Sequence, residues 1–196
     1  MPRLPVLAAF ASFAVFAAMA GYGWYWSHVA GRIPAAIERW TEERRAEGLT
    51  AARGAVEVNG FPFWLETRIA EIELARRGEG QNWSLAVSEL EATARPWNLN
   101  TVAIVLPRGF SLEASSDDER RRLRARAARG EGALGFDASA PRGIRRAAAT
   151  FDAIEAASPA LRGPVAAAWL SLEAWHDAAD RQSTLHLTLA GQRLDL

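Results

Sequence analysis

The 196-residue sequence contains neither cysteine nor lysine, and it has only three histidines, His28, His176 and His186. Without cysteine the chain forms no disulfide, has no thiolate nucleophile and cannot build a cysteine-based zinc or iron–sulfur site. The histidines are far apart in sequence, and none lies in an HExxH pattern, the helical arrangement that binds catalytic zinc. We therefore expect no metal site and no cofactor, and a fold that is held together by its apolar core alone.

An excess of charge of either sign is also absent, because 23 basic residues, all of them arginine, balance 23 acidic residues. Proteins that bind nucleic acid carry surplus basic charge that neutralises phosphates, so we expect no nucleic-acid partner. The sequence has no GxSxG elbow and no glycine-rich nucleotide loop. These absences predict a protein without enzymatic activity. An enzyme whose carboxylates cannot be identified from the sequence is the weakest alternative.

One long apolar stretch lies at the amino terminus. Residues 4–26 contain no charged side chain, and the stretch ends in tyrosines and tryptophans between Tyr22 and Trp26. A helix of this length extends about 34 Å at 1.5 Å per residue, enough to cross a hydrocarbon core about 30 Å thick. Aromatic residues with one polar side prefer the boundary between membrane and water. We therefore predict that residues 1–27 form a transmembrane anchor.

Two alternatives to a retained anchor remain open. The first is a cleaved signal peptide, since Arg3 precedes the apolar stretch and residues 18–20 have the small-x-small pattern that precedes a cleavage point at Gly21. The second is a helix buried in the core of the protein. The large aromatic residues after Gly21 favour retention. A count of positive residues alone favours the opposite orientation, with the C-terminal side in the cytoplasm, since one arginine precedes the stretch and four follow it by residue 45. Because long domains are exported largely regardless of their charge, we place residues 28–196 on the exported side.

Alternating apolar and polar residues predict β-strands over most of the stretch from Ala51 to Leu112. Two of these strands change the phase of their alternation, which predicts a bulge or break near Ala70 and a second change before Leu90. Turn residues separate the strands at short intervals, as in an antiparallel meander. Residues 117–129 fit either a helix or an edge strand with its arginines outward, and we favour the edge strand.

Helical spacing of apolar residues predicts further helices after the apolar stretch. They are residues 29–47, ended by Gly48, residues 144–157 and residues 164–179. The expected fold class is α+β: a curved antiparallel sheet with two or three helices, preceded by one N-terminal transmembrane helix. Residues 28–196 have the length of one domain.

Two short sequence motifs accompany the predicted turns: Gly-Phe-Pro-Phe at residues 60–63 and Arg-Pro-Trp-Asn at residues 95–98. Together with the apolar stretch, they resemble an uncharacterised bacterial envelope family, domain-of-unknown-function family 2125, over about residues 1–110. The resemblance implies a membrane anchor and both motifs. It implies no activity, because no activity is established for the family. This chain departs from the family pattern at Trp64, where the family usually has arginine, and at Leu99, where proline is often found.

The candidate ligand-binding residues are the aromatic residues of the two motifs, Phe61, Phe63 and Trp97. They either pack in the core or line a groove for an apolar ligand. We therefore expect a single-pass protein of the bacterial inner membrane whose periplasmic domain binds membrane lipid or another apolar molecule. The alternative is a scaffold or assembly factor that pairs its sheet edge with another envelope protein. An apolar cavity between sheet and helix favours lipid binding, whereas a filled core with an open strand edge favours the scaffold.

Overall fold

The computed structural model describes residues 4–78, 81–116, 122–136, 144–159, 163–175 and 186–191. Within these residues, one long helix precedes eleven β-strands. The elements are α1 (Leu4–Ala46), β1 (Thr50–Ala52), β2 (Val56–Asn59), β3 (Leu65–Arg76), β4 (Gln81–Arg95), β5 (Asn98–Leu106), β6 (Phe110–Ser116), β7 (Leu123–Ala127), β8 (Arg129–Phe136), β9 (Ile144–Ala157), β10 (Val165–Trp175) and β11 (His186–Gly191).

The N-terminal helix α1 is continuous over 43 residues, where the sequence predicted an apolar span and a separate short helix. The predicted boundary between anchor and domain at residue 27 falls inside it. Its end is as predicted, since Gly48 has a φ of +82° and donates its N–H to the Arg45 carbonyl at 3.0 Å. Among the described residues, no helix is long and apolar enough to cross a membrane. The predicted transmembrane span is therefore not supported by them.

All eleven strands form one antiparallel sheet, through which the chain runs up and down in sequence order. Three pairs of short strands lie end to end, with β1 and β2 along β3, β5 and β6 along β4, and β7 and β8 along β9. Each such pair occupies the place of one long strand, and strands that follow one another in the sequence lie side by side in the sheet. The predicted antiparallel meander is confirmed.

A line of backbone irregularities, which we call the crease, crosses the sheet halfway along its strands. The breaks between β1 and β2, β5 and β6, and β7 and β8 lie beside one another in the strand register. Glu71 and Ala153 lie on the same line with a φ of +50°, and Gly109 has a φ of +61°. In β3 the residues that face α1 change phase across the crease, from Ile69 to Ile72. The break predicted near Ala70 is thus confirmed.

Both helices predicted in the second half of the chain are wrong. Residues 144–157 form β9, and residues 165–175 form β10, while residues 176–179 lie outside the described residues. In β9 the crease explains the error. At Ala153 it changes the spacing of the inward residues from two to three, so that Phe151 and Ile154 lie on the same face. A spacing of three among spacings of two resembles the repeat of a helix.

Of the arginine-rich residues 117–129, residues 117–121 lie outside the described residues, and Leu123–Ala127 form strand β7, as favoured. Strand β7 is not an edge strand, however, because it pairs with both β6 and β9. Its arginines do point outward. Arg124 lies 3.3 Å from the Glu113 carboxylate, and Arg126 lies 2.6 Å from that of Glu155. The outer face of the sheet is therefore charged and laced with cross-strand ion pairs.

The opposite face, which we call the inner face, is apolar but only partly covered. Helix α1 packs on β1 and β2 and faces β3 and β4 across a gap. The inward residues of β5, β8 and β9 are mostly half-buried. Buried apolar side chains are few among the described residues, so the core is small. They are Ala30, Ala51, Leu65, Val87, Pro96 and Ala127.

Candidate ligand cavity and aromatic collar

A cavity of about 470 Å³, which we call the helix–sheet cavity, separates α1 from the inner face of β3 and β4. Its volume lies within the range of about 300–1,000 Å³ that is typical of small-molecule sites. Its walls are almost entirely apolar. They are formed by Ile33, Ala36, Ile37, Trp40, Thr41, Ala51, Ala52, Arg53, Ile69, Ile72, Leu74, Leu85, Val87 and Leu90.

The helix wall follows directly from the spacing of its apolar residues. Ile33, Ile37 and Trp40 recur every three to four positions, which places them on one side of α1. The sequence predicted this stripe on a helix. It did not show what the stripe faces, because no pattern in the sequence specifies how far a helix stands from its sheet.

The sheet wall depends on the crease. Ile69 and Leu90 come from one half of the sheet, whereas Ile72 and Leu85 come from the other half. In an unbroken strand, residues 69 and 72 point to opposite faces. The change of phase at the crease turns both toward α1, and large branched side chains from both halves therefore converge on one cavity.

Polar groups at the cavity are few and mostly satisfied. Thr41 is buried, but its hydroxyl donates a hydrogen bond to the Ile37 carbonyl at 2.9 Å within the helix. Arg53 lies at the margin, where it pairs with the Glu38 carboxylate and donates to the Gly54 carbonyl at 2.9 Å. Its Nε is buried without a hydrogen-bond partner. The interior thus offers apolar contact, with one cationic group at the edge.

Elsewhere in the described part of the chain, no three histidine or acidic side chains lie close enough together to hold a metal ion. A charged cluster lies on the outer face of the sheet. The Glu91 carboxylate accepts a hydrogen bond from Arg68 and, together with Glu89, raises the pKa of that guanidinium above its ordinary value. A cation whose pKa is raised stays charged at neutral pH, so this group is an ion-pair partner rather than a proton donor.

The three predicted site residues do not line the helix–sheet cavity, and they are not in the core. Phe61, Phe63 and Trp97 are 57%, 61% and 58% exposed. Core packing is therefore the wrong interpretation, while ligand binding by these residues stays a prediction. The reason is local, since residues 61–63 form a turn with a cis Phe61–Pro62 bond and Trp97 lies in the turn between β4 and β5. The neighbouring Leu65 and Pro96 are buried instead.

Residues of both motifs contact helix α1 through hydrogen bonds. The Tyr22 hydroxyl donates a hydrogen bond to the Pro62 carbonyl, and the Tyr25 hydroxyl donates to the Pro96 carbonyl at 2.9 Å. Both acceptors are main-chain oxygens of turn residues. The aromatic end of the apolar stretch and the two proline turns, which the sequence presented as separate features, are therefore one contact.

Aromatic packing strengthens the same contact. The Trp26 indole donates to the Trp64 carbonyl at 3.0 Å, and its ring meets the Phe61 ring edge-on at 5.4 Å. The Arg95 guanidinium carbon lies 5.2 Å from the centre of the Trp64 ring, within cation–π distance. Trp64 is thus stacked with the arginine of the Arg-Pro-Trp-Asn motif.

Around this contact, large apolar side chains remain exposed. We call them the aromatic collar: Phe61, Phe63, Trp64, Trp97 and Leu99. The helix passes the collar at Tyr22 and then follows the sheet to its other end, where Thr50 pairs with Ala75. Residues 4–21 therefore extend beyond the sheet on the collar side, by about 27 Å at 1.5 Å per residue.

Comparison with known proteins adds a family but no activity. A family model described as "Uncharacterized protein conserved in bacteria (DUF2125)" matches residues 26–195. The match begins at Trp26 and continues well past residue 110, where the resemblance to the family based on the two motifs ended. No curated protein and no solved structure matches the chain.

Proposed function

The chain belongs to the uncharacterised bacterial family DUF2125, and from its helix–sheet cavity we propose that it binds the acyl chain of a membrane lipid without catalysing a reaction. The observation that carries the proposal is the cavity itself, about 470 Å³ of space between Ile33 and Trp40 of the helix and the branched side chains of β3 and β4. A hydrocarbon chain is the occupant that matches such walls, because it needs no hydrogen-bond partner.

The energetics favour a flexible alkyl chain over a polar ligand. Each buried methylene contributes about 0.8 kcal/mol, so about ten of them supply about 8 kcal/mol before the cost of ordering the chain. A polar ligand gains no such term here, because its groups lose water and find no partner in the cavity. We expect micromolar affinity for a fatty-acyl ligand, with its head group near Arg53 at the cavity margin.

The N-terminal helix supports a location at a membrane. Residues 4–26 carry no charge, and the large apolar side chains between Phe10 and Met19 are between 59% and 72% exposed. A helix that is apolar on all sides and uncovered by its own protein is stabilised in lipid rather than in water. We therefore propose a single-pass anchor in the bacterial inner membrane, with residues 28–196 in the periplasm.

A photoreactive fatty acid that carries a diazirine on its chain tests the cavity. The full-length protein, labelled in membranes and digested, is expected to carry adducts on peptides from β3 and β4. Leu85→Trp fills the cavity and is expected to reduce these adducts by at least about tenfold, equivalent to 1.4 kcal/mol. Ala86→Trp is the matched control, because Ala86 lies on the outer face and is exposed. Adducts confined to residues 10–26 would reflect the bilayer alone and overturn the proposal.

A scaffold role is the second candidate, and one observation favours it. Strand β11 pairs only with β10 among the described strands, so its outer side has no described neighbour. A partner that adds a strand there forms main-chain hydrogen bonds without any cavity. Adducts absent from β3 and β4, together with a partner chain crosslinked to residues 186–191, would make this the leading account.

A further inference from the structure

We infer that the aromatic collar is a second membrane contact: it lies in the head-group region of the bilayer and fixes the sheet at the lipid surface. The inference rests on the proposed membrane location but not on a lipid in the helix–sheet cavity. The collar joins two regions that are separate in sequence, Phe61–Trp64 and Trp97–Leu99. Phe63 and Trp97 are the most exposed side chains of the collar.

The chemistry of the collar matches a bilayer surface. Residues 60–65 and 96–101 contain no charged side chain, and aromatic rings there present large apolar area near water. Arg95 lies directly beside them, with its guanidinium over the Trp64 ring. Aromatic residues at the head-group level next to an arginine that can meet lipid phosphates form a pattern typical of membrane interfaces.

The position of the collar identifies lipid, rather than a protein, as the occupant. The hydrogen bonds from Tyr22 and Tyr25 fix the collar at the level where α1 leaves the sheet. Beyond that level, exposed apolar side chains point in different directions, since Phe13 and Met19 are six residues apart, or about 600° around the helix axis. A protein partner would have to surround the helix and cover the collar at once, whereas a bilayer does both.

The absence of cysteine makes a direct test available, because any introduced cysteine is the only one in the chain. Trp97→Cys, Phe63→Cys and Asn100→Cys place an environment-sensitive fluorophore at the collar, and Asn100→Cys keeps every collar ring. Phe13→Cys reports on the helix beyond the collar, and Arg77→Cys reports on the opposite end of the sheet. Each variant of the full-length protein is reconstituted into protein-free phospholipid vesicles that contain quenchers at defined depths.

We expect all three collar probes to emit at shorter wavelength than Arg77→Cys and to be quenched severalfold more by shallow quenchers than by deep ones. The Phe13→Cys probe is expected to be quenched most by deep quenchers. If Phe13→Cys is quenched but the collar probes match Arg77→Cys, the anchor stands and the collar inference is wrong, which leaves a protein as its occupant. If Phe13→Cys is not quenched either, the proposed membrane location fails and the inference fails with it.

Discussion

The helix–sheet cavity and the aromatic collar contain the same kinds of residue but present them in opposite ways. In the cavity, side chains such as Ile37 and Leu85 converge between two elements and leave a space. In the collar, side chains such as Phe63 and Trp97 point away from the protein. The comparison shows that apolar composition alone does not assign a role. What differs is the backbone, since the cavity residues lie on a helix and strands while most of the collar lies in turns.

The largest effect is expected at the crease, on which the cavity depends and the collar does not. Gly109 has a φ of +61°, and a Cβ atom there would lie 1.8 Å from the Ala127 carbonyl oxygen. Gly109→Ala must therefore move a neighbouring strand, and we expect it to lower the free energy of unfolding by at least about 3 kcal/mol. Denaturant unfolding of the purified full-length protein measures this loss.

Gly78→Ala is the matched control, because a Cβ atom at Gly78 would meet no atom within 4 Å. We expect its midpoint of unfolding to stay at the wild-type value. Equal midpoints for both variants would show that the crease is not a fixed feature of the sheet, and the argument for a preformed cavity would lose its basis.

Two residues close together in sequence give the most direct comparison of a buried side chain with an exposed one. Leu65 is 2% exposed at the start of β3, whereas Phe63 is 61% exposed two positions earlier. Leu65→Ala is expected to cost about 3 kcal/mol, because it removes buried methyl groups and leaves a cavity. Phe63→Ala is expected to cost less than about 1 kcal/mol, despite the larger side chain. If the thermal unfolding of purified protein shows Phe63→Ala to be as damaging, the collar packs in the protein and does not face lipid.

This pair also shows where sequence reasoning succeeds. Alternation predicted that Leu65, Thr67 and Ile69 share one face, and the structure agrees because Glu66 and Arg68 mark the other face with charge. Phe63 fits the same alternation but lies before the strand begins. The sequence contains Gly60 and Pro62 as turn signals, yet period-two spacing continues through them and hides the boundary.

In β9 the same reasoning failed for an identifiable physical reason. Residues 147–149 are all alanine, so no charged side chain marks the outward positions there. The change of phase at Ala153 then placed Phe151 and Ile154 at helical spacing. In β3 an equivalent change at Glu71 was recognisable, because charged residues alternate with apolar ones on both sides of it. The cavity could not be predicted at all, since it depends on the distance between α1 and the sheet.

The hydrogen bonds between α1 and the turns should have a moderate effect, and they connect the collar to the rest of the molecule. Tyr25→Phe removes the donor to the Pro96 carbonyl, whose residue is buried, and we expect a loss of about 1 kcal/mol. For a protein of this size, that loss corresponds to a fall in Tm of about 2–4 °C.

Trp24→Phe is the control for Tyr25→Phe, because Trp24 stacks on the His28 ring within the helix and donates no hydrogen bond to either turn. We expect its Tm to stay close to that of the wild type. A Tm for Tyr25→Phe that equals the wild-type value would mean that the helix is not fixed to the collar, and the collar's position relative to the bilayer would then be undetermined.

The smallest effect is expected on the outer face, which belongs to neither the cavity nor the collar. Arg68 is paired with Glu91 at 2.7 Å and Glu89 at 2.9 Å, but its side chain is largely exposed, and water and salt screen such pairs. The hydrogen bond and charge of Glu91 raise the pKa of Arg68, so the stabilisation is fully present below the ordinary pKa of arginine. It is lost only as the pH rises through the raised value.

We therefore expect Arg68→Ala to lower Tm less than Tyr25→Phe does, with a difference from wild type that is constant around neutral pH and shrinks with added salt. Glu91→Gln, which keeps an acceptor but removes the charge, should give the same salt dependence. A difference that does not shrink with salt would mean that Arg68 contributes through the packing of its alkyl chain on the sheet rather than through its charge.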